Sequence, residues 1–271
     1  MQSEATATHL RIRSTEVMLY NEDWLNGFRR FTEATDVVVT SPPYNLGVNY
    51  NTYDDDIPRD AYLRWTERWI AAVAFVLKKD GSFFLNMGGK PSDMTGPFDV
   101  LEVARKFFKL QNVIHWIKSI NVDGVTRGHC KPINSDRYLT DQHEYIFHLT
   151  HNGDVLLNKL AVGVEYADKS NLTRGSRGKN GDCRDRGNTW FINYATRREK
   201  KSHPTTFPVE LPEWCIKLHG VDKAKLVVDP FMGSGTTAVA GVRLGVPKVA
   251  GFEIDTLYHA AAVTELCGQQ L

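Results

Sequence analysis

The stretch "LVVDPFMGSGTTAVAGVRLGVPKVAGFEID" (residues 226–255) decides the predicted fold of this chain. It begins with an apolar strand, passes through a glycine loop into a helix, and ends in a second strand followed by Glu253. Gly233 and Gly235 permit positive φ and a close approach of a ligand to the backbone. In dinucleotide-binding folds, an acid about 20 residues past such a loop holds ribose hydroxyls. The stretch therefore predicts a nucleoside-binding unit.

The glycine loop departs from both of the common phosphate-binding patterns. It is not GxGxxG, and it lacks the GK[ST] of a P-loop. We therefore expect it to bind a nucleoside without depending on phosphates. Glycine turns are common in α/β proteins, and Glu253 would suit NAD equally well, so the loop alone leaves a nucleotide-dependent oxidoreductase open.

Strand-like and helical segments alternate along the rest of the chain. The predicted strands are 16–23, 35–40, 82–88, 112–119, 144–150, 225–229 and 248–255. The predicted helices are 59–81, 99–110, 207–220, 236–245 and 257–266. This alternation predicts an α/β fold with a parallel sheet and an antiparallel edge pair.

The middle of the chain is irregular and basic. Between residues 151 and 195 the apolar periodicity ends, which predicts either disorder or a binding element. Residues 118–201 hold fifteen Lys and Arg against ten Asp and Glu, a net charge of +5, and the remainder of the chain carries −4. This distribution fits a polyanion-binding face as well as it fits a solvated surface.

Composition indicates an ordinary globular enzyme, with 42% hydrophobic and 24% charged residues in 271. No apolar run approaches the roughly 18 residues of a membrane span, and the first ten residues show no basic or apolar segment that would predict secretion. The four cysteines stand far apart without a CxxC pair, which predicts reduced thiols and no metal site; they are Cys130, Cys183, Cys215 and Cys267. We therefore expect an intracellular protein, in the cytoplasm or nucleoid, or in a eukaryotic nucleus.

A second informative stretch, "VVVTSPPYNLG" (residues 37–47), ends an apolar β-branched run with two prolines. Pro42 and Pro43 remove two backbone donors and fix two φ angles, so the strand ends abruptly. Taken alone, this corner is a proline turn at the end of an edge strand. The hydroxyl of Ser41 before it and the ring of Tyr44 after it indicate a further purpose.

Four motifs together resemble one enzyme family, the S-adenosylmethionine-dependent DNA amino-methyltransferases. They are "TSPPYNLG" (40–47), "IHWIKS" (114–119), "HPTTFPVEL" (203–211) and "DPFMGSGTT" (229–237), and their order resembles the β group of these enzymes. The resemblance implies a Rossmann-like methyltransferase fold with a mostly parallel, seven-stranded sheet and an inserted DNA-recognition region. It implies one domain over 1–271, with a catalytic half (16–150), a target-recognition insert (151–201) and a cofactor-binding half (202–271).

The same resemblance implies that Ser41, Pro42, Pro43 and Tyr44 are catalytic. The lone pair of an exocyclic amine is conjugated with the base ring, so the amine needs acceptors for its protons before it can attack a methyl group. Because Pro43 has no N–H, the Pro42 carbonyl can face the amine unpaired, and the Ser41 oxygen can accept the second proton's hydrogen bond. Tyr44 offers a ring on which the extruded base stacks.

Other family positions carry over one at a time, with S-adenosylmethionine as the implied cofactor and no metal. The implied cofactor-binding residues are Asp23, Trp24, His203, Pro204, Thr205, Asp229, Phe231, Gly233, Ser234, Gly235, Thr236, Thr237 and Glu253. The implied DNA-binding residues are Lys118, Arg197, Arg198, Lys200 and Lys201. From the residues alone, Asp23 also fits a helix N-cap and His203 a surface loop. The basic run 197–201 equally fits a solvated or nuclear-targeting segment, and Lys118 the flank of a strand.

The implied reaction is site-specific methyl transfer to an exocyclic amine of double-stranded DNA, with base flipping. Ser41 resembles the cytosine-N4 enzymes, whereas Asp or Asn at this position is typical of adenine-N6 enzymes. Adenine N6 stays open as an alternative, as does a catalytically idle DNA-binding protein on the same fold. RNA or a protein glutamine suits the long basic insert less well. A homodimer and a cognate restriction enzyme are left open, and no membrane partner is expected.

Overall fold

A computed structural model of the chain describes residues 6–128, 133–167, 182–193 and 206–268. The strands are β1 (Thr6–Ile12), β2 (Thr15–Asn21), β3 (Thr35–Thr40), β4 (Leu77–Met87), β5 (Lys109–Ile117), β6 (Ser119–Val122), β7 (Val125–Gly128), β8 (His143–Thr150), β9 (Val164–Glu165), β10 (Cys183–Arg184), β11 (Thr189–Phe191), β12 (Leu226–Asp229) and β13 (Lys248–Phe252). The α-helices are α1 (Trp24–Gly27), α2 (Arg59–Val76), α3 (Gly96–Ala104), α4 (Glu210–His219), α5 (Thr236–Arg243) and α6 (Thr256–Gly268). Short 3-10 helices cover Phe28–Phe31 and Lys159–Val162.

The main sheet of the described residues has nine strands in the order β1-β2-β13-β12-β3-β4-β8-β5-β11. The strands from β2 to β4 run parallel to one another, and β8 is antiparallel to both of its neighbours. The part from β2 to β5 is the predicted seven-stranded sheet, which β1 and β11 extend at its two edges. The predicted α/β architecture with a mostly parallel sheet is therefore confirmed.

Helices cover both faces of this sheet, and the strand period divides the core between them. Val38 of β3 packs in one apolar cluster with Trp69 of α2 and Val100 of α3. Val37 and Val39 point to the other face and belong to the cluster that contains residues of α4, α5 and α6. A strand buried on both faces reads as a continuous apolar run rather than an alternating one, which explains the "VVV" sequence.

The direction of the strands fixes where a ligand can bind. The carboxyl ends of β2, β3, β4, β12 and β13 share one edge of the sheet because these strands are parallel. β5 also ends at this edge, since both β4 and β5 pair antiparallel with β8. Open α/β sheets bind ligands outside the carboxyl ends of their strands.

Two predicted helix ends are wrong, and in both places the sheet determines the conformation. The helix predicted over 59–81 ends at Val76, and β4 begins at Leu77, which pairs with Thr35. In the sequence, Lys78, Lys79 and Gly81 are typical of a helix C-terminus and predict the later end. In the structure Lys78 forms a 2.7 Å ion pair with Asp36 of β3. The helix predicted over 99–110 covers Gly96–Ala104, because the chain is already extended as β5 from Lys109.

Residues 182–193 pack against the main sheet and α4. β11 adds to β5 in parallel, and the side chain of Trp190 on β11 is 1% exposed. Its ring meets Trp214 of α4 edge-on, with centroids 5.4 Å apart. The guanidinium of Arg186 lies 4.0 Å from the centroid of the Trp214 ring. These contacts attach this segment to the edge of the sheet and to α4.

No helix in the described part of the chain is both long and apolar enough to span a membrane. The cysteines that the structure describes, Cys183, Cys215 and Cys267, are free thiols. Burial raises the pKa of the Cys215 thiol well above its usual value. Cys130 lies outside the described residues.

Candidate active site

A cavity of about 560 Å³ opens at the carboxyl edge of the sheet. Its walls include the loop between β3 and α2, the segments that follow β12 and β13, and the start of α1. This is the location that the strand directions require for a ligand site. Both sequence motifs, the proline corner and the glycine loop, contribute to the same cavity.

The glycine loop depends on backbone conformations that glycine adopts without strain. Gly233 has φ 52° and Gly235 has φ 83°. A Cβ added to Gly235 would also lie 3.0 Å from the Cβ of Ala262 on α6. The loop is joined to β13 because the N–H of Met232 donates to the carbonyl of Phe252 at 2.9 Å. The loop therefore lies against the end of β13 and exposes its backbone to the cavity.

Glu253 follows β13 and connects this strand to the loop. Its Oε2 accepts a 3.0 Å hydrogen bond from the N–H of Gly233, and its Oε1 accepts a 2.8 Å bond from the N–H of Asp255. The side chain lines the cavity. Burial raises the pKa of Glu253 to about 7, and the two backbone donors act in the opposite direction. A carboxylate held at this position can accept hydrogen bonds from hydroxyls of a bound nucleoside.

The predicted cofactor-binding residues of the loop divide into two groups. Those that line the cavity are Phe231, Gly233, Ser234 and Thr236. Asp229 lies beneath the loop and accepts hydrogen bonds from Thr40 (2.6 Å), Thr237 (2.7 Å) and the N–H of Phe231 (3.0 Å). Burial raises the pKa of Asp229 to about 6. Asp229 and Thr237 thus fix the loop from below, and Gly235 lies with them outside the cavity wall.

Asp23 and Trp24 form another part of the wall. The Oδ1 of Asp23 accepts a 2.8 Å hydrogen bond from the N–H of Leu25, so Asp23 is the N-cap of α1 and lines the cavity as well. Trp24 is 1% exposed and packs edge-on against Phe252, with centroids 5.0 Å apart. The two alternatives raised for Asp23 are therefore compatible, because its carboxylate caps the helix beside the cavity.

The proline corner follows β3 directly, and Ser41, Pro42, Pro43 and Tyr44 all line the cavity. The hydroxyl of Tyr62 on α2 donates a 2.9 Å hydrogen bond to the carbonyl of Pro43. No group among the described residues donates to the carbonyl of Pro42. The corner therefore has one carbonyl held by α2 and one open acceptor, as the sequence predicts for Pro42.

The hydroxyl of Tyr44 lies at the centre of a polar cluster. It is 2.6 Å from the Oγ of Ser41, 2.8 Å from the Nδ2 of Asn86 and 3.2 Å from the Oε2 of Glu144. Burial, with the charge of Glu144 as the second cause, raises the pKa of Tyr44 well above its usual value. Tyr44 is therefore a neutral phenol at physiological pH, and its ring has a fixed position at the cavity wall.

Asn86 and Glu144 were missed at the sequence level. Asn86 is near the end of the apolar strand β4, and Glu144 is near the start of β8. Each is a polar residue in a strand whose other residues are typical of a core. A polar residue at such a position was the sign in the sequence that could have pointed to the site. The Nδ2 of Asn86 also donates to Glu144 Oε2 at 2.6 Å.

Lys118, which the resemblance implies as a DNA-binding residue, lies beside the polar cluster around Tyr44. Its ammonium forms an ion pair with Oε1 of Glu144 and lies 5.2 Å from the centroid of the Trp116 ring. Lys118 itself lines the cavity. The charge of Lys118 is therefore paired with Glu144 at the wall of the cavity.

The loop from 45 to 57 covers the cavity next to the proline corner and was also missed. Asp55, 2% exposed, accepts hydrogen bonds from the N–H groups of Asn45 (2.8 Å), Leu46 (3.1 Å) and Val48 (3.0 Å). The amide of Asn45 donates to the carbonyl of Ile57 and its oxygen accepts from the same residue's N–H. These bonds fold the loop back onto its own base.

Several predicted residues lie outside the described residues. They are His203, Pro204, Thr205, Arg197, Arg198, Lys200 and Lys201. Thr206 and Phe207, which follow directly, line the cavity. Within the described ranges no cluster of three or more His, Cys, Asp or Glu side chains could hold a metal ion.

The fold is that of the S-adenosylmethionine-dependent methyltransferases, as a solved relative demonstrates. The structure of PvuII DNA methyltransferase (cytosine-N4-specific) superposes with a TM-score of 0.65 and 20% identity, covering 97% of this chain and 95% of that one. At this identity the likeness concerns the fold. The predicted fold class is confirmed.

The sequence identifies the family. Residues 35–264 match the N6/N4 family, described as DNA methylase, so this chain belongs to that family. The predicted membership is thereby confirmed, and S-adenosylmethionine is the cofactor of this family.

Curated relatives carry related names. Type II methyltransferase M.MjaVI of Methanocaldococcus jannaschii is 40% identical over 37% of this chain, and M.HpaI of Haemophilus parainfluenzae is 30% identical over 74% of it. The chain spans 53% of the length of M.MjaVI and 58% of M.HpaI. DNA adenine methyltransferase YhdJ of Escherichia coli is 29% identical over 83% of this chain and 74% of its own length.

Proposed function

We propose that this protein transfers a methyl group from S-adenosylmethionine to the exocyclic N4 amine of cytosine in double-stranded DNA, after the base has been flipped out of the helix. The proposal rests on one observation: two hydrogen-bond acceptors line the same cavity as the glycine loop and its acidic partner. The Ser41 hydroxyl and the open Pro42 carbonyl line the same cavity as Gly233 and Glu253.

The residues of the glycine-loop side fit the cofactor. A volume of about 560 Å³ is within the range of about 300–1,000 Å³ of small-molecule sites. Glu253 would accept hydrogen bonds from the ribose hydroxyls, and Asp23 from the adenine amine. The bound cofactor supplies an electrophilic methyl group on a sulfonium. His203, Pro204 and Thr205 would close over its methionine end, next to the cavity-lining Thr206.

The proline corner would prepare the amine. The Pro42 carbonyl accepts a hydrogen bond from one N–H of the amine, and the Ser41 oxygen accepts one from the other. Both bonds pull electron density toward the nitrogen and orient its lone pair at the methyl group. Acceptors that are fixed before the substrate arrives need no reorganisation at the moment of transfer. The Tyr44 ring, already held by its hydroxyl, would stack on the flipped base.

The choice of cytosine rests on Ser41. Serine at this position resembles the cytosine-N4 enzymes, and the PvuII enzyme, which has the same fold, carries that specificity in its name. Adenine N6 is the second candidate, because the name of YhdJ gives adenine for a relative at 29% identity. Both bases present an amine on a conjugated ring, so the same corner could serve either.

Duplex recognition would fall to the insert, residues 151–201, and to its basic run, Arg197, Arg198, Lys200 and Lys201. The net charge of +5 over 118–201 supports a polyanion partner. We propose the same division of the chain as the sequence predicts, with a catalytic half before the insert and a cofactor-binding half after it. An intracellular site of action belongs to the same proposal, and a cognate restriction enzyme and a homodimer stay open.

Transfer of a labelled methyl group tests the reaction. The protein would be incubated with tritiated S-adenosylmethionine and unmethylated bacterial genomic DNA that has been amplified in vitro, with RNA and a no-nucleic-acid sample as controls. Label in the DNA alone supports the proposal. Binding of DNA without transfer identifies the idle DNA-binding protein, and label in RNA identifies another acceptor.

A further inference from the structure

The cluster around Tyr44 has a hydrogen-bond direction that can be worked out atom by atom. A tyrosine hydroxyl has one proton to donate and two lone pairs with which to accept, whereas an amide nitrogen only donates and a carboxylate only accepts. Three groups surround the Tyr44 oxygen: the Oγ of Ser41, the Nδ2 of Asn86 and the Oε2 of Glu144. Only Ser41 can take either role.

Glu144 determines which of the two roles Ser41 takes. Lys118 pairs with its Oε1, and Asn86 donates to its Oε2 at 2.6 Å, so both carboxylate oxygens act as acceptors. The single proton of Tyr44 is therefore directed to Glu144, while Asn86 donates to Tyr44 at 2.8 Å. Tyr44 has one lone pair left, and Ser41 must donate to it. The lone pairs of the Ser41 oxygen then face the cavity as acceptors.

The orientation of Asn86 supports this reading. Its Oδ1 is buried and has no hydrogen-bond partner among the described residues. A buried polar atom without a partner costs about 1–3 kcal/mol. Turning the amide over would place that oxygen against the Glu144 carboxylate, so the unsatisfied oxygen is the consequence of keeping two donors on Tyr44 and Glu144.

We propose that Glu144 is a positioning residue that sets the direction of the Ser41 hydroxyl, so that Ser41 accepts a hydrogen bond from the substrate amine. The proposal rests on the function proposed above and adds the group that controls it. If the direction were reversed, Tyr44 would occupy one lone pair of the Ser41 oxygen, and the Ser41 proton would be free to turn toward the donor N–H of the amine. Ser41 would then be a weaker acceptor, with one lone pair in place of two.

Replacing Glu144 tests the idea, with single-turnover methyl transfer as the readout. Glu144→Leu offers no acceptor, and Glu144→Gln can offer only one of the two acceptors that Lys118 and Tyr44 require. We expect Glu144→Leu to slow transfer at least tenfold, with unchanged affinity for S-adenosylmethionine and DNA. Glu144→Gln keeps the shape of the side chain and should also slow transfer. It takes the place of Glu144→Leu in the test if the leucine variant does not fold.

A double-mutant cycle separates positioning from general structural support. Glu144 and Ser41 interact only through Tyr44 in the described structure. If Glu144 acts through the Ser41 hydroxyl, Glu144→Leu should slow Ser41→Ala by less than twofold, because the hydroxyl is already absent. Glu213→Gln is the matched control: Glu213 is 16% exposed, close to the 12% of Glu144, pairs with Lys217 and Arg243, and does not line the cavity.

The outcomes are distinct. Wild-type protein that transfers no methyl group to nucleic acid contradicts the proposed function itself. If the wild type is active and the Glu144 variants transfer methyl groups as fast as it does, Glu144 has no positioning role. The role is also overturned if Glu144→Leu slows the Ser41→Ala protein by the same factor as it slows the wild type. A tenfold loss that disappears in that background supports it.

Discussion

The N–H of Gly233 donates a 3.0 Å hydrogen bond to the Oε2 of Glu253, which joins the glycine loop to the end of the neighbouring strand. The N–H of Asp255 donates to the other oxygen at 2.8 Å. Glu253 thus organises the loop and offers its remaining lone pairs to the cavity. Since burial raises its pKa to about 7, its charge changes within the physiological range.

The first prediction concerns this titration. Charged Glu253 accepts hydroxyl hydrogen bonds from the cofactor, so affinity for S-adenosylmethionine should fall as the pH decreases through about 7. Hydrogen bonds to charged groups contribute about 1.5–3 kcal/mol, so Glu253→Ala should weaken binding by roughly ten- to hundredfold. Glu253→Gln should bind weakly at every pH between 6 and 8. Calorimetry across this range would disprove the assignment if wild type and Glu253→Gln changed in parallel.

The second prediction concerns a buried histidine pair. The hydroxyl of Ser82 lies 3.1 Å from Nε2 of His148 and 2.9 Å from Nδ1 of His219. Burial lowers the pKa of His148 to about 3 and also lowers that of His219. The unfolded chain therefore takes up protons below its histidine pKa of about 6.5 that the folded chain cannot take up.

Stability should accordingly be lost as the pH falls from about 6.5 toward 3. The His148 contribution to the loss is about 2 kcal/mol at pH 5. Because Glu253 and Asp229 have raised pKa values and act in the opposite direction, the comparison must be made against His148→Gln. Urea unfolding at pH 7 and pH 5 measures it. If the difference between wild type and variant stays constant with pH, His148 is not buried in its neutral form.

The sequence predicted which residues lie together at the cavity wherever a motif carries its own geometry. The glycine loop and Glu253 were predicted from their order and spacing, and the open Pro42 carbonyl from the missing N–H of Pro43. Asn86 and Glu144 were not predicted, because each lies in a strand whose apolar neighbours dominate the pattern. Only the pairing of β4 with β8 brings them together.

The fold was predictable to a similar extent. The strand and helix alternation indicated the α/β sheet, while the ends of the helices before β4 and β5 were predicted too far along the chain. Local signals such as Lys78 and Gly81 were read as helix ends, but pairing of Leu77 with Thr35 extends the chain earlier. The edge strand β11 was not predicted, because it lies in a segment without apolar periodicity.

The third prediction separates the ring of Tyr44 from its hydroxyl. Tyr44→Ala should keep the fold and cofactor affinity and lose most methyl transfer, since base stacking contributes about 1–3 kcal/mol. Tyr44→Phe keeps the ring and should lose less. Ser41→Ala should slow transfer with DNA affinity nearly intact, and the Pro42 carbonyl should leave some residual activity. Full transfer by Tyr44→Ala would remove the corner from the mechanism.

The fourth prediction concerns the basic run of the insert. Changing Arg197, Arg198, Lys200 and Lys201 to Ala should weaken DNA binding and reduce its salt dependence by about one unit of slope for each phosphate that the protein no longer binds. Affinity for S-adenosylmethionine should barely change. Fluorescence anisotropy between 50 and 200 mM salt, roughly the range over which such binding varies strongly, provides the slope. An unchanged slope would mean that the run is only a solvated surface.

The most direct test of the proposed function is the identity of the methylated nucleoside. Unmethylated genomic DNA would be incubated with the protein and S-adenosylmethionine, digested to nucleosides and separated by liquid chromatography with mass spectrometry. Ser41→Ala, as the matched variant, should give the same product in smaller amount. We predict that the product is N4-methylcytosine. N6-methyladenine in its place would contradict the assignment of cytosine from Ser41, and the absence of any methylated nucleoside would contradict the proposed reaction.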